Sequence, residues 1–285
     1  MEPNQDIQSI DTATASPKEL PGVMELIRGA FKTYRAHFWT FFIISILPAL
    51  VVLVGAGAGF LSVNIFDDVV GVSFGFFVLV IFGIVAWSLS FLMAVALTYA
   101  AGVGGEVGVW DAYKVGLVKL RPYAWLLVLT SVIVLGATFA LVVPGIILSV
   151  AFAFSVFVFL FEDVRGMRAL ARSRAYVRGY WWAVAGRMIV FTLFVLLIAG
   201  GGGALAGFLY GEIIEEVVSS ILGALVAPLS FLYIFGMYDA FRRMKPEVAT
   251  TTEHETKWLR AAGIFGLVGI LVIPVIIFLF LPIFL

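Results

Sequence analysis

The chain has 285 residues, 62% of them hydrophobic and 13% charged, whereas a soluble domain carries about 45–50% apolar and about 25% charged residues. A water-soluble fold is excluded. The net charge is zero, and with no cysteine and only two histidines, His37 and His254, thiol nucleophiles, disulfides and cysteine-based metal sites are excluded too.

Met1 to Pro21 is polar and rich in Asp, Glu, Ser, Thr and Pro, without the basic start or apolar core of a cleavable signal. It reads as a disordered cytoplasmic tail (residues 1–21). Seven uncharged or nearly uncharged apolar stretches follow: Phe38 to Val63, Val72 to Ala101, Tyr123 to Val142, Gly145 to Phe161, Trp182 to Tyr210, Val217 to Tyr238 and Ala261 to Leu285. A bilayer core about 30 Å thick needs roughly 17–25 helical residues. The expected architecture is therefore all-α: a polytopic transmembrane bundle. The third and fourth stretches meet at Val143, Pro144 and Gly145, as two short spans or as a hairpin that dips in and returns, and two spans is the favoured reading. Residues 22–243 form a six-span membrane domain, 244–259 a cytoplasmic linker and 260–285 a seventh helix.

Cytoplasmic loops carry the excess of lysine and arginine. With the amino terminus inside, all 18 basic residues fall on internal segments, and the external loops keep only Asp67, Asp68, Glu212, Glu215 and Glu216. This orientation gives a net +5 inside and −5 outside, the pattern of a multi-pass protein of the inner (plasma) membrane.

Three segments share the spacing R-x-[HY]-x-W: Arg35 to Trp39, Arg121 to Trp125 and Arg178 to Trp182. Each opens a pair of apolar stretches, so the six spans group as three hairpins. Either the chain is internally repeated, or arginine and tryptophan recur because both are enriched at membrane boundaries. Arg35, Trp39, Arg121, Trp125 and Trp182 are the expected interface anchors. Upstream of each lies an amphipathic stretch: Val23, Leu26, Ile27, Ala30, Phe31, Tyr34 and Phe38 in the first, Trp110, Tyr113, Leu117 and Leu120 in the second, Val164, Met167, Leu170 and Ala171 in the third. Their basic residues, such as Arg28, Lys32 and Arg35, lie off the apolar stripe. Such helices lie in the headgroup plane or pack as connectors on the bundle's cytoplasmic face, and the terminal aromatics favour the first reading.

The run Val142-Val143-Pro144-Gly145-Ile146-Ile147, then Phe161 to Ser173 with Glu162, Ala169 and Leu170, then Arg178-Gly179-Tyr180-Trp181-Trp182, resembles the membrane domain of some bacterial glycerophosphodiester phosphodiesterases and of related uncharacterised inner-membrane proteins. The segment from Gly29 to Trp39 and Pro48 fit the same pattern, and the resemblance spans about residues 22–243. It implies a fold and a setting. In that family the diesterase chemistry belongs to a separate soluble barrel; here the linker leads into a further apolar stretch, so no such activity is expected.

Glycines at 55, 57 and 59, from 200 to 203, and at 203, 207 and 211 read as helix-packing positions, since no Gly-Lys-Ser/Thr triplet of a phosphate loop occurs. The four-glycine run is where the fifth helix is expected to loosen. The five arginines Arg165, Arg168, Arg172, Arg174 and Arg178 lie beside two spans, where a polybasic cluster reads as an anionic-lipid headgroup site; plain positive-inside topology is the alternative, and nucleic acid is not expected. Arg187 is the one charge clearly inside a span, five residues beyond Trp182 and so about 7.5 Å deeper. It either snorkels to the headgroups or pairs with Glu162, Asp163 or Asp239. Neither histidine lies near a carboxylate pair, so the chain is expected to be non-enzymatic, with no cofactor or metal, with membrane lipids as partners and with room for homo- or hetero-oligomers. Its expected role is to organise or sense the lipid environment at the cytoplasmic leaflet, or else to carry or flip a lipid or other amphiphile.

Overall fold

The structure, a computed structural model, describes residues 20–65, 69–140, 142–249, 259, 263 and 264. Among them no strand occurs. The amino-terminal tail up to residue 19 and nearly all of the seventh apolar stretch lie outside the described residues, whereas Leu20 and Pro21, placed in the tail by the sequence, are held by Arg187.

Helix α1 (Val23–Ala36) stops at His37, whose backbone leaves the helical region at φ −123° and ψ 37°. The chain restarts at once as α2 (Phe38–Ile65), then returns as α3 (Val69–Gly102). Glycine sets the approach of these two. A Cβ on Gly55 would lie 2.7 Å from Phe82 Cγ, and one on Gly59 2.9 Å from Leu79 Cγ, the small-residue contact that lets helices meet where apolar burial gives no drive. Beyond α3, Gly104 and Gly105 take φ +68° and +85°, and Gly105 donates its N–H to Ala100 O at 2.8 Å. That left-handed closure satisfies carbonyls at the helix end.

Helix α4 (Val109–Ala140) is 32 residues long and contains Pro122. The second amphipathic stretch is therefore not a separate interfacial helix, because it is the first third of the third span. Nothing between Leu120 and Tyr123 leaves helical backbone, whereas His37 separates α1 from α2 and Gly179, at φ +85°, separates the seventh helix from the eighth. The three R-x-[HY]-x-W segments thus sit in three different settings, and their common spacing is not a common structure.

The fourth apolar stretch is broken. Helix α5 (Val142–Ala151) packs on α4, with Gly145 against Thr138, and α6 (Ser155–Phe161) follows after a turn at residues 152–154. Along α6, ring contacts run from Phe154 on Phe241, through Phe157 on Tyr238, to Phe161 on Phe235. Helix α7 (Met167–Val177) follows, then α8 (Trp181–Val195), a π turn at Leu196–Gly200, α9 (Gly201–Tyr210) and α10 (Glu212–Met244). Gly211, at φ +92°, reverses the chain between the last two. Phe191 stacks on Tyr233 with centroids 4.1 Å apart, Gly203 meets Ser219 and Gly207 meets Glu215. The contacts climb one helix while they descend the other, so α8 and α9 run antiparallel to α10.

Six stretches are long and apolar enough to cross a membrane: Phe38–Gly59, Ser73–Gly102, Val109–Thr138, Val142–Phe161, Trp181–Tyr210 and Val217–Met244. The chain is a multi-pass, all-helical membrane protein. Its buried core is concentrated at one end, among Phe41, Ile44, Leu97, Leu126, Phe154, Phe159, Leu170, Tyr233, Tyr238 and Phe241. The far halves of α3 and α9 instead turn Phe76, Phe77 and Phe208 outward, where lipid tails are as apolar as any neighbour.

Candidate functional site

The polar side chains collect at this buried end, around α7. Three polar or aromatic residues of α7, Arg172, Ser173 and Tyr176, point into the bundle or lie within its core, together with Ala169, Leu170, Ala171 and Val177. The apolar face of α7 packs against other helices of the bundle, as the connector alternative for the third amphipathic stretch expects, while its Arg168 stays exposed.

At its centre is Glu162, just past the end of α6. Arg172 Nη1 donates to its Oε2 at 2.7 Å, and the hydroxyls of Tyr176 and Tyr238 donate to its Oε1 at 3.0 and 2.8 Å. The Glu162 and Arg172 side chains are 8% and 12% exposed. One carboxylate thus accepts from α7 twice and from α10 once, joining the end of the fourth span to the sixth. Burial, and after it the charge of Glu162, push the Tyr176 phenol well above the ordinary tyrosine range, which keeps it a donor. Arg172 is consequently withdrawn from the headgroup-facing set, because its guanidinium is turned inward.

One turn of chain away, Ser173 repairs the break between α5 and α6. Its hydroxyl donates to Ala151 O at 2.8 Å and accepts from Phe154 N–H at 3.1 Å. Backbone groups freed at membrane depth need such internal partners. Past α10, Lys245 Nζ donates to Tyr176 O at 2.9 Å and Arg178 O at 2.7 Å, and sits over the rings of Tyr180 and Phe241. It neutralises the carbonyl end of α7, while burial pushes its ammonium below the ordinary lysine range.

Arg187 follows neither expectation. Its Nε donates to Pro21 O at 2.9 Å, Nη2 to Leu20 O at 3.2 Å and Nη1 to Ala183 O at 3.0 Å. Among the described residues it meets no carboxylate; the residues ahead of α1 fold against α8 and bring carbonyls to it. Tyr233 completes the joint by donating its hydroxyl to Arg187 O at 3.0 Å.

The exposed basic groups are elsewhere. On α1, Leu26, Ala30 and Tyr34 are buried, with Leu26 seated in the space Gly236 leaves on α10. The remaining face turns out Met24, Arg28, Phe31, Lys32 and Arg35. Ile27, Arg28, Phe31, Lys32, Arg35 and Ala36 line a shallow hollow of about 600 Å³. Arg165, Arg168 and Arg178 are exposed around α7, and Arg174 is half-buried. Arg35 and Arg121 are exposed, as are Trp39, Trp125 and Trp182 at 70%, 60% and 82%.

A second hollow, of about 870 Å³, is a groove on the side of the bundle between α5 and α8, with Trp181 and Trp182 at one end. Among the described residues no cluster of three metal-ligating side chains occurs. The sequence reading missed Tyr238, Ser173 and the Arg187 acceptors. The first lies 76 residues from Glu162, and a backbone carbonyl carries no mark in a sequence. Comparison with protein-family models, with curated proteins and with solved structures gives no match for this chain.

Proposed function

We propose that this chain is a non-enzymatic membrane protein of the bacterial inner membrane that organises or senses the lipid environment at the cytoplasmic leaflet. The observation that carries the reading is α1. One face is buried on α10, and the other sets Arg28, Lys32 and Arg35 beside the exposed Met24 and Phe31. Basic side chains next to apolar ones on a surface helix are the features that hold anionic headgroups and seat the helix among them. Arg165, Arg168 and Arg178 are exposed around α7 as well, and the core of the bundle is filled by aromatic and aliphatic side chains. In this reading the spans form three hairpins with a seventh helix appended, the amino terminus is cytoplasmic, and anionic lipid is the partner.

The test is lipid retention. Each basic residue near an anionic surface contributes roughly 1 kcal/mol, so Arg28→Gln, Lys32→Gln and Arg35→Gln together should cut the anionic lipid that native mass spectrometry finds on the purified protein by about two orders of magnitude in affinity. Added salt should do the same to the parent. Retention unchanged in the triple variant contradicts the reading. The orientation has its own check. Cysteine is absent from the chain, so single cysteines at Glu212 and Arg168 report cleanly: an impermeant thiol reagent should label the first and spare the second in intact cells, and the opposite pattern would reverse the topology.

A carrier or flippase is the second reading. It is favoured by the break between α5 and α6, since discontinuous helices form substrate sites in transporters, and by the groove open to the side of α5 and α8.

A further inference from the structure

The groove between α5 and α8 is walled by Val143, Ile146, Ile147 and Val150 on one side and by Ala185, Ile189 and Leu193 on the other. Both walls belong to stretches long and apolar enough to cross a membrane, so the medium beside the groove is hydrocarbon. The polar atoms at hand are turned back on the protein. Ser149 Oγ donates to Ile146 O at 2.9 Å, and Trp181 Nε1 donates to Ile147 O at 3.0 Å. A hydrophilic ligand would find no free partner in those two groups, and an apolar one loses nothing by their presence.

The two ends differ. At one stand Trp181 and Trp182, packed edge to face with centroids 4.7 Å apart. Tryptophan belongs at the level of the headgroups, with its ring across the boundary. The exposed Arg178 lies three residues earlier, where a phosphate is the complementary group. The other end, toward Val143 and Leu193, is walled by aliphatic side chains with the Thr192 hydroxyl as its one polar side chain. This polarity, charge at one end and hydrocarbon along the length, is that of a single phospholipid chain below its headgroup. The volume of about 870 Å³ lies within the roughly 300–1,000 Å³ of small-molecule sites.

We propose that the α5–α8 groove binds one acyl chain of a bilayer phospholipid, with the glycerophosphate at Trp181 and Trp182. This rests on the lipid-organising reading and gives it a defined chain site. Gly186 lines the groove, and a Cβ added there meets nothing within 4 Å. A side chain at that position starts from open space at the groove wall rather than against a neighbour.

The experiment uses the full chain in vesicles of phosphatidylethanolamine and phosphatidylglycerol, doped with a phosphatidylcholine whose acyl chain ends in a diazirine. Illumination and peptide mapping should place adducts on Ile146, Val150, Ile189 and Leu193 at roughly five times the level on the outward Phe76 and Phe77 of α3, because a groove covers most of a chain's surface. Gly186→Phe should bring the groove adducts down to the α3 level and leave the α3 adducts unchanged. Equal labelling of groove and α3 in the parent, or groove labelling that survives Gly186→Phe, overturns the proposal. So does a photoreactive residue at Ile147 that cross-links to residues 265–285 of the same chain. The probe's headgroup is zwitterionic, so the result does not depend on the basic surface of α1. Groove labelling lost while anionic lipid is still retained refutes the chain site alone; loss of retention specificity with groove labelling intact refutes the headgroup reading.

Discussion

Arg172→Leu should destabilise the protein by about 3–5 kcal/mol, the cost of removing one partner from a buried ion pair. The effect should show as a large drop in the unfolding midpoint of the detergent-solubilised chain. The size follows from what is left behind. Glu162 would keep the two tyrosine hydroxyls but lose the guanidinium 2.7 Å away, in a setting where its side chain is 8% exposed. Combining Arg172→Leu with Glu162→Gln should recover part of the loss, because the amide oxygen still accepts from the Tyr176 and Tyr238 hydroxyls while no unpaired charge stays buried. Arg168→Leu is the control: that residue is exposed on the same helix, and surface changes usually stay within about 0.5 kcal/mol. If Arg172→Leu is no worse than Arg168→Leu, the Glu162 junction is not what holds α6, α7 and α10 together.

The second large effect should be local. Arg187→Leu removes the three donors that hold Leu20, Pro21 and Ala183 carbonyls. Hydrogen bonds to charged groups contribute about 1.5–3 kcal/mol each, and two of the three hold the residues ahead of α1, so its first turn should open about 100 times more often or beyond. Amide hydrogen exchange at residues 23–28 reads this directly. Arg187→Lys should give an intermediate result, since a lysine keeps the charge and loses the planar fork. The variant should also be additive with Arg172→Leu, because Arg187 and the Glu162 junction share no partner in the contacts described. Unaltered exchange in α1, or strong coupling between the two sites, would place the function of Arg187 elsewhere.

How far the sequence reaches can be seen in these two arginines. Hydropathy located six apolar stretches close to where helices form, because in hydrocarbon a backbone has few ways to satisfy its own polar groups. It also marked Arg187 as unusual and Glu162 as a helix-end carboxylate. Pairing was another matter. Arg172 looked outward by composition, one of five arginines in a row of basic positions, and only the packing of Ala169, Leu170 and Val177 turns its face of α7 inward. The α1 stripe was legible as a stripe, yet it is shared: Leu26, Ala30 and Tyr34 go to the bundle while Phe31 goes out. Periodicity reports an apolar face and cannot say how many neighbours divide it. The break at residues 152–154 had no sequence signal at all, since Phe152, Ala153 and Phe154 are unremarkable in a helix and the hydroxyl that stabilises it comes from Ser173 on the next one.

The π turn at Leu196–Gly200 acts on the angular phase of the fifth span. In an α-helix each residue advances about 100°, so Gly203, twelve positions beyond Phe191, would stand about 120° around the axis from it. Both residues nevertheless face α10, one on Tyr233 and the other on Ser219. A π turn takes up one extra residue, which subtracts about 100° and brings the two back into line. Of the glycines from 200 to 203 only Gly200 lies in the turn, the other three opening α9; a single deletion within the turn would leave both faces of the helix aligned, whereas the same deletion a few residues to either side would rotate one of them away from its partner.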